Sequence, residues 1–211
     1  MSERISLKQA ERRAFTAAFE DGLSDVFIGC VVSMFAIAPH LSTRLGDFWS
    51  SAVFLPVWAA LYVIIRMVRK HVVAPRIGRV TFGAARKAKL MRFNIVMLVV
   101  NVIALVLGAF VAVKFRSVSG LVTASLFGLI CLTLASLGAY LLGFRRLYLY
   151  GLMLAASPLV GEWLWTHKGA SHHGFPITFG ITSGVIILTG LVIFLRLLRH
   201  SPLPSLPSEE A

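Results

Sequence analysis

Six long apolar runs constrain this chain more than any other feature of its sequence. A helix rises 1.5 Å per residue, so about 20 mostly apolar residues, with a range of roughly 17 to 25, cross the hydrocarbon core of a bilayer. Lipid offers no partner to backbone N–H and C=O groups, so each run must be a helix. The sequence predicts an all-α polytopic membrane helical bundle with about six transmembrane helices, at 23–41, 48–67, 93–113, 120–143, 147–165 and 176–198.

The composition agrees with lipid as the surrounding solvent. Hydrophobic side chains make up 57% of the chain and charged ones 14%, whereas soluble domains average roughly 25% charged residues. No shift in composition separates two domains, so we interpret residues 1–200 as a single transmembrane bundle whose main partner is the lipid bilayer. Cys30 and Cys131 lie inside predicted spans, where a thiol behaves as a small hydrophobe.

The positions of Lys and Arg predict the orientation of the bundle. Basic loops are retained in the cytosol during insertion. With the N-terminus inside, every Lys and Arg falls on the cytosolic side except Arg44, Lys114, Arg116 and Lys168. We therefore predict a multi-pass protein of the cytoplasmic (inner) membrane with both termini cytosolic. The net charge of +12 then reflects topology, and no groove-reading or stacking motif indicates a nucleic-acid partner.

Three segments lie outside the predicted spans. Residues 1–22 form an amphipathic N-terminal segment, which is either an interfacial helix or a cytosolic extension of the first span. Residues 68–92 form a basic cytosolic loop, in which 72–82 is predicted to be extended or turned because β-branched residues flank Pro75 and Gly78. Residues 201–211, rich in Pro and Ser, are predicted to be a disordered tail.

An acidic cluster lies at the cytosolic mouth of the first span. It consists of Glu20, Asp21 and Asp25, and the last two are four residues apart on one helix face. The basic loop offers Arg76 and Arg79 as partners. The structural hypothesis is an ion-paired tether between the first span and this loop; the alternative is a cytosolic gate or cation-binding mouth, because ionisable groups at membrane helices often serve function.

Two further polar residues lie within predicted spans. Glu162 is about one turn from the outer end of the fifth span, beside Trp163 and Trp165, which favours an interfacial position in an aromatic belt. A proton or cation site is the alternative for Glu162. Asn101, in the third span, is predicted to form an interhelical hydrogen bond.

Pro56 and Pro158 occupy corresponding positions in the second and fifth spans. Interrupted helices at matching positions are typical of inverted-repeat transporters, although Pro is also tolerated as an ordinary kink in membrane helices. If the chain transports a solute, these prolines, Asn101 and Glu162 are the candidate pathway.

His167, His172 and His173 cluster on the predicted outer loop between the fifth and sixth spans. A zinc site needs ligands that converge on a tetrahedron, and this loop has no helical register to direct them. We therefore predict no metal site and no cofactor.

Small residues recur every four positions in several spans. Such spacing lets helix backbones approach closely in lipid, so we interpret it as packing within the bundle, with a dimer face as the alternative. The residues concerned are Ala104, Gly108, Ala112, Ala124, Gly128, Ala135, Ala139, Gly143, Gly180 and Gly184.

Two stretches together resemble a group of uncharacterised prokaryotic multi-pass membrane proteins. They are Glu20-Asp21-Gly22-Leu23-Ser24-Asp25 and Pro75-Arg76-Ile77-Gly78-Arg79-Val80-Thr81-Phe82. In that group an acidic-Gly entry to the first span precedes a Pro-Arg-x-Gly loop after the second. The resemblance implies that the two motifs face each other on the cytosolic side, and it implies no activity.

The sequence carries no common catalytic signature: it has no Walker loop, no paired-His metalloprotease motif and no nucleophile elbow. We expect a non-enzymatic accessory or scaffold component of the membrane, with a protein partner at the basic loop. One alternative is a small transporter or channel. A second is an interfacial lipid-processing enzyme, which would need Asp21 or Asp25 free of arginine partners.

Overall fold

The computed structural model describes residues 21–77 and 119–200, together with isolated helical positions between 91 and 106. Most of the third predicted span, most of the N-terminal segment, residues 78–90 and the tail 201–211 lie outside this description. Every regular element in the described residues is helical. An all-α bundle is therefore confirmed.

The described residues form helices that are joined by short turns. The α-helices are α1 (Leu23–Val32), α2 (Met34–Leu45), α3 (Asp47–Ala52), α4 (Phe54–Val68), α5 (Ala74–Ile77), α6 (Gly120–Leu142), α7 (Arg146–Lys168) and α8 (Phe175–His200). A π-helical turn, Arg69–Val73, joins α4 to α5, and a 3-10 turn, Ser171–Gly174, precedes α8.

Five helical segments in the described residues are long and apolar enough to cross a membrane. They are Leu23–Leu45, Phe48–Arg76, Gly120–Leu142, Arg146–Lys168 and Ser171–His200. They correspond to the first, second, fourth, fifth and sixth predicted spans, and Glu162 does not interrupt the fifth. The chain is a multi-pass membrane protein by these features.

Helix α8 is the centre of the described bundle. It packs against α1, α2 and α7, while α6 packs along α7 and α4 packs against α1. The tightest crossing joins α1 to α8, where a Cβ added to Gly190 would lie 2.6 Å from the carbonyl oxygen of Gly22 and 2.7 Å from the nitrogen of Val26. Only a residue without a side chain fits there.

The small residues of α6 pack inside the bundle, as predicted. Ala124, Gly128, Ala135 and Ala139 are buried, and a Cβ on Gly128 would lie 2.6 Å from the carbonyl oxygen of Ala155 on α7. The prediction is wrong for Gly184, which has nothing within 4 Å of an added Cβ. Gly190, one and a half turns further along α8, makes the close approach instead.

The sequence predicts that residues 72–82 are extended or turned. This prediction is wrong for residues 72–77, where the chain continues from the π-helical turn into α5. Pro75 lies inside this continuous helical stretch, where it removes one backbone N–H. Local π-helical adjustment is one way in which membrane helices accommodate a proline.

The two prolines of the second and fifth spans have different settings. Pro56 lies in the first turn of α4, just after the helix break at Val53, and is exposed. Pro158 lies inside α7 and is fully buried. The two positions are therefore not equivalent interruptions of two matching helices.

Candidate functional site

The end of the bundle at which α1 begins, here called the carboxylate end, holds a buried ion pair. The carboxylate of Asp21 is 3% exposed, and its Oδ1 accepts the backbone N–H of Leu23 at 3.1 Å, which caps α1. Arg69 donates to the same carboxylate from Nε to Oδ2 at 2.5 Å and from Nη2 to Oδ1 at 3.0 Å. Such a bidentate arginine–carboxylate pair is among the strongest charge-assisted hydrogen-bond arrangements.

Local packing explains why Arg69 reaches Asp21. Arg69 is the first residue of the π-helical turn, and Ile65 and Val73 on either side of it pack with Leu23 in one apolar cluster. Arg69 also donates to the hydroxyl of Ser24 at 2.8 Å. The end of α4 is therefore fixed to the start of α1 by apolar contacts and by one guanidinium group.

A second carboxylate, Asp25, lies one turn further along α1 and is fully buried. The hydroxyl of Tyr150 donates to its Oδ1 at 2.8 Å. Nη1 of Arg146 lies 3.4 Å from its Oδ2, which balances the charge although this distance is longer than an ordinary hydrogen bond. Arg146 also lies over the ring of Phe144, at 5.1 Å. Asp25 thus connects α1 to the start of α7.

The predicted cluster is found in part. Asp21 does pair with the basic segment after α4, but its partner is Arg69. Arg76 donates from Nη1 to the carbonyl oxygen of Val72 at 3.2 Å, and Glu20 and Arg79 lie outside the described residues.

Sequence reasoning missed three members of this site, namely Arg69, Arg146 and Tyr150. Arg146 and Tyr150 are more than one hundred positions from Asp25, so helical spacing alone gives no signal for their contact. The adjacent Arg145 and Arg146 at the start of an apolar run were the only available hint.

The opposite end of the bundle carries the pair formed by Glu162 and His173. Glu162 is 8% exposed, and its Oε2 lies 2.8 Å from Nδ1 of His173, whose ring stacks on Trp165 at 4.7 Å. The Glu162 carboxylate also lies against Gly120 at the start of α6, where the positive end of the helix dipole favours an anion.

The turn that presents His173 has an uncommon backbone. His172 and His173 both have positive φ, 49° and 53°, a conformation that residues with a side chain adopt rarely. Gly161 on α7 and Gly174 before α8 are in backbone contact beneath this turn, since a Cβ on Gly174 would lie 2.9 Å from the Cα of Gly161. The helix crossing therefore holds the turn in this conformation.

The three histidines of this loop have separate neighbours. His173 pairs with Glu162, His172 lies against His40 with ring centroids 5.7 Å apart, and His167 stacks on Trp163 at 5.2 Å. Within residues 21–77 and 119–200, no three His, Cys, Asp or Glu side chains are grouped so as to hold a metal ion.

A pair of hydroxyl groups lies between α7 and α8. Oγ of Ser157 lies 2.8 Å from Oγ1 of Thr182, and both residues are buried. Of the predicted pathway residues, Pro158 and Glu162 lie on this same helix α7, Pro56 lies on α4, and Asn101 is outside the described residues.

Comparison with known proteins gives no relative: no family model matches the chain, and no curated protein or solved structure matches it. The geometry of the two ends of the bundle is thus the basis for any functional argument.

Proposed function

We propose that this chain is a non-enzymatic accessory or scaffold component of the cytoplasmic (inner) membrane, with both termini in the cytosol. The proposal rests on one observation, that both carboxylates at the carboxylate end are bound by side chains of neighbouring helices. Asp21 is engaged by Arg69, and Asp25 is engaged by Tyr150 and Arg146.

Such engagement favours a structural role over a catalytic one. A catalytic acid or base must come within hydrogen-bond reach of a substrate, whereas both carboxylates are buried and bound to neighbouring helices. Together they join α1 to α4 and to α7. Buried ion pairs of this kind penalise any packing that leaves one partner without its counter-charge, which suits a protein whose task is to present a fixed surface.

The distribution of cations supports the orientation. At the carboxylate end the described residues include Arg66, Arg69, Lys70, Arg76, Arg145, Arg146, Arg196 and Arg199. At the opposite end they include Arg44 and Lys168. Because basic residues are retained in the cytosol, the carboxylate end is the cytosolic one in this proposal.

The expected partner site is the basic segment 68–92, and a cross-linking experiment tests it. A photoreactive amino acid is placed at His71, which is exposed at the carboxylate end, and as a control at His40, which is exposed at the opposite end. We expect a discrete, reproducible protein adduct from position 71 that position 40 does not give. Identical adducts from both positions, or no adduct from position 71, would contradict a scaffold role for this segment.

A second candidate function, transport of protons or cations, is favoured by one observation. The Ser157–Thr182 hydroxyl pair lies in the α7–α8 interface between two buried carboxylates, Asp25 towards one end and Glu162 towards the other. Intramembrane ionisable groups that face a bundle interior often mark ion pathways.

Vesicles that contain the purified protein and an internal pH dye distinguish this candidate. Proton flux above that of empty vesicles, lost in Glu162→Gln and kept in Glu210→Gln, would replace the scaffold proposal by a transport one. Flux equal to that of empty vesicles would remove the transport candidate. The interfacial enzyme has no comparable support, because both carboxylates on which it rested have arginine partners.

A further inference from the structure

The carboxylate end has more cations than its two ion pairs use. Arg69 and Arg146 turn inward to Asp21 and Asp25. Among the residues that the structure describes, five other Lys and Arg side chains at this end are exposed, and none of them takes part in an ion pair with a described carboxylate. We call these residues the basic rim: Arg66, Lys70, Arg145, Arg196 and Arg199.

In two pairs of adjacent basic residues, one residue forms an ion pair inside the bundle and the other is exposed. Arg146 faces Asp25 while Arg145, next to it, is exposed; Arg69 faces Asp21 while Lys70, next to it, is exposed. The tether between helices therefore accounts for one cation of each neighbouring pair. It leaves the other directed outwards on the same end of the bundle.

Four rim residues lie on helix ends that meet around one apolar cluster. Leu23 and Ile65 belong to this cluster, and Phe194 and Leu197 of α8 pack against it. This packing brings the helix turns that carry Arg66 and Lys70 close to those that carry Arg196 and Arg199. Arg145 joins them from the start of α7, because Asp25 holds that helix end against α1.

The rim also lies where the apolar outer surface of the helices stops. Met67, Leu149 and Leu195 are between 53% and 59% exposed and lie within one turn of rim residues along their helices. Such side chains face the hydrocarbon of a bilayer, so the adjoining rim lies at the level of the lipid headgroups.

We propose that the basic rim binds the phosphate groups of anionic phospholipids. Guanidinium groups match phosphate oxygens with paired hydrogen bonds, and basic clusters at the ends of membrane helices are attracted to anionic headgroups. The inference goes beyond the scaffold role and needs no protein partner, so its failure would leave that proposal intact.

The test compares lipid retention by matched variants of the full chain. The protein is purified in mild detergent, mixed with equal amounts of phosphatidylglycerol and phosphatidylcholine, and examined by native mass spectrometry. The rim variant is Arg145→Gln with Arg199→Gln. The control is Arg44→Gln with Lys168→Gln, which removes the same charge from exposed residues at the opposite end. Size-exclusion profiles establish that both variants fold.

We expect the wild type and the control to retain phosphatidylglycerol in preference to phosphatidylcholine. The rim variant should lose up to about five-fold in this preference for each cation removed. Equal retention of the two lipids by the wild type, or equal preference in the rim and control variants, would overturn the proposal. So would displacement of phosphatidylglycerol by millimolar inorganic phosphate, which would assign the rim to a free anion. If the rim variant does not fold, Arg199→Gln alone is compared with Lys168→Gln by the same ratio.

Discussion

At the scale of single residues, Asp25 is the most constrained group of the described chain. It is fully buried, it accepts a hydrogen bond from the hydroxyl of Tyr150, and Arg146 balances its charge. Breaking a fully buried ion pair costs about 3–5 kcal/mol, and here Asp25 is the buried partner while the Arg146 side chain keeps 28% of its surface exposed. The integrity of the bundle therefore depends strongly on this one side chain.

Replacing Asp25 with Ala should lower the yield of folded protein far more than replacing Glu210 with Ala. The first change removes the partner of Arg146 and Tyr150, whereas Glu210 lies in sequence beyond the end of α8. The monodisperse fraction on size-exclusion chromatography in detergent and the midpoint of thermal unfolding measure the difference. Equal yields for the two variants would contradict the buried tether.

Tyr150→Phe isolates the hydrogen bond from the packing of the ring, which lies against Phe144 and Ile186. Loss of the hydroxyl leaves a buried carboxylate oxygen without its donor, which costs about 1–3 kcal/mol. We expect the free energy of unfolding, measured by SDS titration, to fall by about that amount. A double-mutant cycle with Asp25→Asn should show clear coupling, and strictly additive effects would mean that the two side chains do not interact.

The sequence predicts part of this chemistry. It indicates that Asp21 pairs with the basic segment after the second span, because opposite charges at one membrane face are expected to meet. It cannot identify Arg69, since the choice among several arginines depends on the π-helical turn and on the packing of Ile65 and Val73 against Leu23. The contact of Tyr150 cannot be predicted for a different reason: Tyr150 lies 125 residues from Asp25 in the sequence.

At the scale of the elements, the crossing of α1 and α8 depends on the absence of side chains. Gly22 and Gly190 bring the two backbones into contact, and Gly22 also has a φ of 75°, which suits glycine. In lipid such close approach is a main source of helix association. The position of α8, and with it the centre of the bundle, therefore rests on two glycines.

Gly190→Ala should destabilise the bundle, whereas Gly184→Ala should not. The first added methyl group meets the backbone of Gly22 and Val26, and overpacking of this kind costs about 1–3 kcal/mol. The second enters open space on the same helix, which makes it a matched control. The midpoint of SDS denaturation reports both effects, and equal midpoints would show that the crossing is looser than described.

The sequence predicts which segments form membrane spans, but it does not predict where each helix breaks or ends. Length and apolar content locate the spans, because the bilayer imposes both. The helix break at Val53 lies three residues before Pro56, whose ring and missing N–H disfavour a regular helix there. The continuation of the second span through the π turn to Arg76 runs against the turn signals of Pro75 and Gly78.

At the scale of the whole molecule, the two ends of the bundle differ in charge and in chemistry. Among the described residues, the carboxylate end has two carboxylate–arginine pairs and the basic rim, while the opposite end has the Glu162–His173 pair, whose histidine ring stacks on Trp165. This asymmetry is what a protein with one fixed orientation in its membrane requires.

Single cysteines introduced at Lys168 and at Arg199, in a chain with Cys30 and Cys131 replaced by Ala, test that orientation. A membrane-impermeant maleimide added to intact cells, with the outer barrier permeabilised where one exists, should label position 168. It should label position 199 only after the membrane is opened. Both residues are exposed at opposite ends of the bundle, so labelling of position 199 in sealed cells would reverse the proposed topology.

The central place of α8 also bears on how the protein is made. Helix α1 leaves the ribosome long before α7 and α8, yet its backbone fits against α8 and its Asp25 finds its donor on α7. Until those later segments are made, the Asp25 carboxyl group has neither Tyr150 nor Arg146 beside it. Helix α1 must therefore remain in the membrane before its packing partners are made. A chain released before residue 190 would lack the glycine that forms the contact between α1 and α8.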